Sequence, residues 1–98
     1  WVNSVNHAFD PRAFIDALPL DRVVQLHVAG HMVRPDGLII DTHAEPVCSG
    51  VYDLVEFTLR RVGPRPVLLE RDGNYPDLDV LLAEVATLQR IADDAARA

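Results

Sequence analysis

A single cysteine, Cys48, leaves this chain with no internal disulfide and no set of thiolates for a soft-metal site. That scarcity fits a reducing compartment, and a cytoplasmic location is expected. No apolar run approaches the roughly 18 residues that a membrane span needs, and no signal-peptide pattern is visible. The 9 basic residues nowhere cluster with aromatic ones, and the 15 acidic residues are spread along the chain to give a net charge of -6. A basic nucleic-acid surface is therefore excluded, and the dispersed charge reads as a solvated exterior. Repeats and low-complexity tracts are also missing, and the 7 prolines and 5 glycines fall between periodic segments rather than in a linker. Residues 1 to 98 are read as one segment with no internal boundary. The chain opens on Trp1 rather than Met, so residues ahead of it are expected.

What is present is ordinary globular material, 49% apolar and 24% charged, enough for one compact core. In "FDPRAFIDALPLD", Asp10 can cap free N–H groups and Pro11 suits a first helical turn. A helix over residues 10 to 18 is expected, ended by Pro19. "RVVQLHVAG" is short and rich in branched apolar residues, which reads as a strand over residues 23 to 29 covered on both faces. Turn chemistry follows at Pro35-Asp36-Gly37, and Leu38 to Ile40 is either a strand of two or three residues or a tucked loop. A helix opening near Pro46 carries apolar residues at 47, 51, 54, 55, 59 and 62, with Gly63 as its terminator. "PVLLERDG" holds a second buried strand, Val67 to Leu69, that runs into Glu70. A long last helix follows, with Leu78, Leu81, Leu82, Val85, Leu88 and Ile91 on one face and frayed final turns.

Strands alternating with helices imply parallel βα units, whose functional groups gather at the C-terminal ends of the strands. That rule selects His27, the segment after it, and Glu70. Asp41-x-His43 lies in the connection between the two strands, so two imidazoles and two carboxylates converge on one mouth. Such a mixed nitrogen and oxygen set suits iron, manganese or zinc. A plain reading stands beside it: Asp41 as a helix cap or turn residue, and Glu70 paired with its neighbour Arg71.

The stretches "VNSVNHAFDP", "VVQLHVAGH", "LIIDTHAEPV" and "VYDLVEFTLRRVGPRPVLLERDGNYPDLDVLLAE" together resemble the C-terminal part of the DUF692 (UPF0276) family, the multinuclear non-haem iron-dependent oxidative enzymes that include MbnB and TglH. The resemblance spans nearly the whole chain. It implies an α/β fold, the C-terminal third of a TIM (β/α)8 barrel of the xylose-isomerase-like type, covering about strands six to eight. Val2 to His7 would then end the sixth strand, residues 23 to 28 form the seventh, and residues 66 to 70 the eighth. Residues 38 to 43 would belong to a long loop after the seventh. The resemblance further implies that His27, Asp41, His43 and Glu70 are iron ligands, with two or three irons in the full-length protein. It makes His7 and His31 candidates for supporting or substrate-pocket roles. By the same resemblance the substrate is a ribosomally made precursor peptide, modified at a cysteine with dioxygen and presented by a leader-recognition partner. Two rival readings remain: a divalent-metal hydrolase or isomerase on the same barrel, and a noncatalytic scaffold. A full barrel needs about 250 residues, so the other ligands are expected upstream, and the isolated piece is expected to be poorly stable or inactive.

Overall fold

The computed structural model describes residues 1–97. Its elements are helices α1 (Val2–His7) and α2 (Pro11–Asp16), a 3-10 turn (Leu20–Arg22), strands β1 (Leu26–Val28), β2 (Met32–Val33) and β3 (Ile39–Ile40), helix α3 (Ser49–Val62), strand β4 (Val67–Leu69) and helix α4 (Leu78–Ala96). The chain is thus mixed α/β. β1 and β4 pair in parallel, Leu26 with Val67 and Val28 with Leu69, while β2 and β3 form a separate antiparallel ribbon.

Local chemistry explains most boundaries. The Asp10 side chain accepts the Arg12 N–H at 2.9 Å, and Pro11 starts α2 where its missing donor costs nothing. The β2–β3 turn forms at Arg34 to Leu38, closed by the Gly37 N–H on the Arg34 carbonyl, with Gly37 at φ 91°. Leu38 to Ile40, left open between strand and loop, is a two-residue strand. Gly63 ends α3 at φ 79° and ψ -174°, a conformation available only to glycine, with its N–H on the Leu59 carbonyl.

The core lies between the parallel pair and the two long helices: Val28, Val47, Val55, Leu59, Leu88 and Ala95 are buried, with Leu26, Val67, Leu69 and Ile91 packed against them. Phe57, 8% exposed, sits beneath the guanidinium groups of Arg12 and Arg61, which fastens α2 to α3.

Four expectations are corrected. Residues 2 to 7 form a helix and not the end of a strand: the Ser4 hydroxyl donates to the Trp1 carbonyl inside the turn, and Asn6 ties the helix to Ile39 by accepting its N–H and donating to its carbonyl. The parallel strands are covered on one face only, because α3 and α4 pack on one side while His27 and Leu68 are exposed on the other. The third helix begins at Ser49 instead of Pro46, since the Val47 N–H is held by Glu84 and Cys48 is the N-cap residue. The last helix is not frayed through its final turns; it continues to Ala96, with Ala95 buried in the core.

Candidate metal centre

His27 lies in β1, and Glu70 follows β4 directly, so parallel pairing brings them together. The Glu70 N–H donates to the Val28 carbonyl at 2.8 Å, extending the ladder by one residue and fixing the carboxylate at the strand end. Its Oε1 lies 2.7 Å from His27 Nδ1 and its Oε2 lies 3.1 Å from His43 Nδ1. One carboxylate therefore serves two imidazoles.

His43 arrives from the loop after β3. Its backbone takes the left-handed conformation, φ 55°, which a residue with a Cβ adopts only when its surroundings hold it there. Here the His43 N–H donates to the Gly30 carbonyl and the His43 carbonyl accepts the Asp72 N–H, so both loops beside the strands grip this one residue. Gly30 is needed at that contact, because a Cβ there would overlap the Glu45 and Pro46 carbonyls. The ring is then approached from both sides: Asp41 Oδ1 at 2.9 Å from Nε2, and Glu70 Oε2 and Asp72 Oδ2 at 3.1 and 3.2 Å from Nδ1.

The four residues selected from sequence are thus adjacent, and Asp72 joins them. Its signal was the period of two in Glu70-Arg71-Asp72: an extended chain sends residues 70 and 72 to the same side. His31 borders the same cleft of about 550 Å³ that His27, Asp41, His43 and Glu70 line, beside apolar Phe14, Leu26 and Val51. His7 ends α1, exposed, and is not among the residues lining that cleft.

Two of the specific plain pairings are absent, while Asp41 as a loop residue and Glu70 ion-paired with His27 remain. Asp41 is not the cap of the next helix, whose N-cap is Cys48. Arg71 does not neutralise Glu70; it pairs instead with Glu84 at 3.0 Å, both side chains nearly buried. What remains is a cluster of three carboxylates with the imidazoles of His27 and His43, and among the described residues no Arg is paired to any of the three. Asp41 and Asp72 keep 62% and 67% of their side-chain surface open to solvent, so their free oxygens are accessible to water or to a cation. The Nδ1 separations of 3.1 and 3.2 Å are those of ordinary N–H···O contacts and equally those of ligands sharing one ion. Nδ1 of His43, a Glu70 oxygen and an Asp72 oxygen form a compact three-donor group. The donor set is hard oxygen plus imidazole, so the residues fit a first-row transition ion.

The chain is thus a mixed α/β chain with a parallel strand pair and, at the strand ends, a His, Glu and Asp group that could hold a metal ion. Comparison with known proteins is more specific: residues 1–93 match the family described as "RiPP precursor modification enzyme MbnB/TglH/ChrH", and the chain belongs to that family. Its relatives include UPF0276 proteins of Nitrosospira multiformis (49% identical over 85 residues, 87% of this chain and 30% of the relative) and Acaryochloris marina (46% over 84 residues, 86% and 30%). The UPF0276 protein of Acinetobacter baylyi is 41% identical over 97 residues, 99% of this chain and 34% of the relative. The chain therefore spans about a third or less of the length of the relatives it matches. No helix among the described residues is long and apolar enough to cross a membrane.

Proposed function

We propose that this chain is the C-terminal third of a TIM-barrel enzyme that uses iron and dioxygen to modify a cysteine-containing, ribosomally made precursor peptide. The carrying observation is the placement of His43 between Asp41 on one ring nitrogen and Glu70 with Asp72 on the other. His27, Asp41, His43 and Glu70 would hold the metal, with Asp72 as an added ligand from the same loop. Glu70, which turns one oxygen to each histidine, is the residue suited to join two centres. When bound, iron supplies one-electron chemistry and a docking point for a substrate thiolate and dioxygen.

The chain's own groups do the rest. The cleft beside the cluster has an apolar wall of Phe14, Leu26 and Val51, which favours peptide side chains over water near the donors. His31 borders that cleft as a group able to accept or return a proton at a ring nitrogen beside the bound peptide. A leader-recognition partner would present the peptide.

The test uses the full-length protein that carries this chain, purified without oxygen. Two or three irons per protein, and a mass change in a co-expressed cysteine-containing peptide only when dioxygen is supplied, are expected. Protein that holds no iron, or that works equally with zinc and takes up no dioxygen, would replace this reading with that of a divalent-metal hydrolase or isomerase.

A further inference from the structure

Between two of the three carboxylates aimed at His43 stands a cation that points elsewhere. Arg71 follows Glu70 and precedes Asp72, yet its guanidinium is turned away from them into the protein, with its side chain only 7% exposed. There Nη2 meets Glu84 Oε1 at 3.0 Å, and Nη1 donates to the Asn74 carbonyl at 3.1 Å. Glu84, on α4 and 12% exposed, uses its other oxygen to accept the Val47 N–H at 2.9 Å. Asn74 completes the ring of contacts by donating to Glu45 Oε1 at 3.2 Å. Residues 45 to 47, just after His43, are thus tied to residues 71 to 74, just after Glu70, both through Glu84 on α4 and directly by the Asn74–Glu45 contact.

We infer that Glu84 is a positioning residue for the metal centre, which withholds Arg71 from Glu70 and Asp72 so that both carboxylates stay free for a cation. The inference rests on the metal reading above. A guanidinium is permanently charged and matches a carboxylate in two-point geometry, so it is the strongest competitor a metal could meet at these oxygens. Arg71 is covalently adjacent to both but leaves the backbone on the opposite side, so its long side chain would swing round to reach them once Glu84 no longer holds it. Leaving it in the interior without a counter-charge is costly, which is the force that would drive it outward if Glu84 were neutral. Burial of the pair is thus explained by what it prevents, since buried ion pairs in general add little stability.

The experiment titrates full-length protein with Mn(II) alone, reading free ion by electron paramagnetic resonance, in the wild type, Glu84→Gln, and the double variant Arg71→Gln/Glu84→Gln. The single variant keeps an oxygen for the Val47 N–H but releases Arg71; its Mn(II) affinity is expected to fall by about 10- to 100-fold, the range seen when an outer partner of a metal ligand is lost. The double variant removes the competitor as well, buries no unpaired charge, and is expected to bind within about threefold of wild type. Circular dichroism of the metal-free proteins checks folding. A double variant that is folded but binds as poorly as the single one would overturn the inference, because the pair would then act only as a brace; so would a folded Glu84→Gln protein with wild-type affinity. If Glu84→Gln does not fold, the double variant is compared with wild type alone: affinity within about threefold supports the inference, and a folded double variant that binds about 10-fold or more weakly overturns it. Wild-type protein that takes up no Mn(II) at this cluster would instead sink the metal reading itself.

Discussion

At the scale of the residue, the ligand candidates differ in how tightly they are held. Glu70 is anchored by the strand ladder and touches both histidines, whereas Asp72 is 67% exposed and touches only His43. Glu70→Gln, which keeps the shape and removes the charge, should therefore cost metal affinity at least the roughly 100-fold upper range of an outer-partner loss, and Asp72→Asn should cost less. Metal content after dialysis measures both, and equal losses would mean that Asp72 is as central as Glu70. Tyr52 gives a separate residue-scale test. Burial raises its phenol above the ordinary value, and the charge of Glu84 adds to the effect. The folded protein then keeps this proton longer than the unfolded chain does, so the contribution is intact below the ordinary phenol range and is lost as pH rises above about 10. Denaturant titrations from pH 8 to 11 should show stability falling more steeply in the wild type than in Tyr52→Phe. Identical slopes would remove Tyr52 from the alkaline response.

At the scale of the element, the site is made where loops lock to strands. Gly30→Ala would drive a Cβ into the Glu45 and Pro46 carbonyls and displace the carbonyl that accepts the His43 N–H. Metal retention should drop with a loss of stability of about 1–3 kcal/mol, typical of overpacking. Asp10→Ala, at the cap of α2, should cost about 1 kcal/mol while leaving metal retention unchanged; a melt and a metal assay on each protein separate the two. These same contacts explain what could be read in advance. The Asp10-Pro11 cap, the Pro35-Asp36-Gly37 turn, the spacing of α3 and its Gly63 stop are written in neighbouring residues, and all are found. The convergence of His27, Asp41, His43 and Glu70 was legible because strand ends gather functional groups in parallel folds. The helical state of residues 2 to 7 was not, since the Asn6 contacts to Ile39 span 33 residues. Nor was the pairing of Arg71 with Glu84, where a nearer acid, Glu70, made the simpler local partner.

At the scale of the whole molecule, the chain is a slab of 36 × 34 × 19 Å exposing 6233 Å². A compact monomer of this mass would expose about 5,600 Å². Large apolar side chains are among the exposed residues: Val24 is 77% exposed, Leu82 57%, Val85 47% and Leu68 44%. Among the described residues β1 and β4 pair only with each other, so each also offers a free edge to any passing strand. In the proposed barrel, strands on either side would cover both edges, and the exposed face with Leu68 and His27 would meet side chains from the rest of the barrel. The chain alone should therefore self-associate. Size-exclusion profiles of the 98-residue chain are expected to shift to larger species as concentration rises, with strong binding of an apolar dye and a shallow melt. The full-length protein at the same concentrations should elute at one position and melt cooperatively. A monodisperse 98-residue monomer with a sharp melt would show that this slab needs no covering, and would favour an independent small domain over a piece of a barrel. Dialysis against Mn(II) then separates fold from site: if such a monomer also retained the ion, His27, Asp41, His43, Glu70 and Asp72 would be a sufficient set, and the expected upstream ligands would be additions to a working centre.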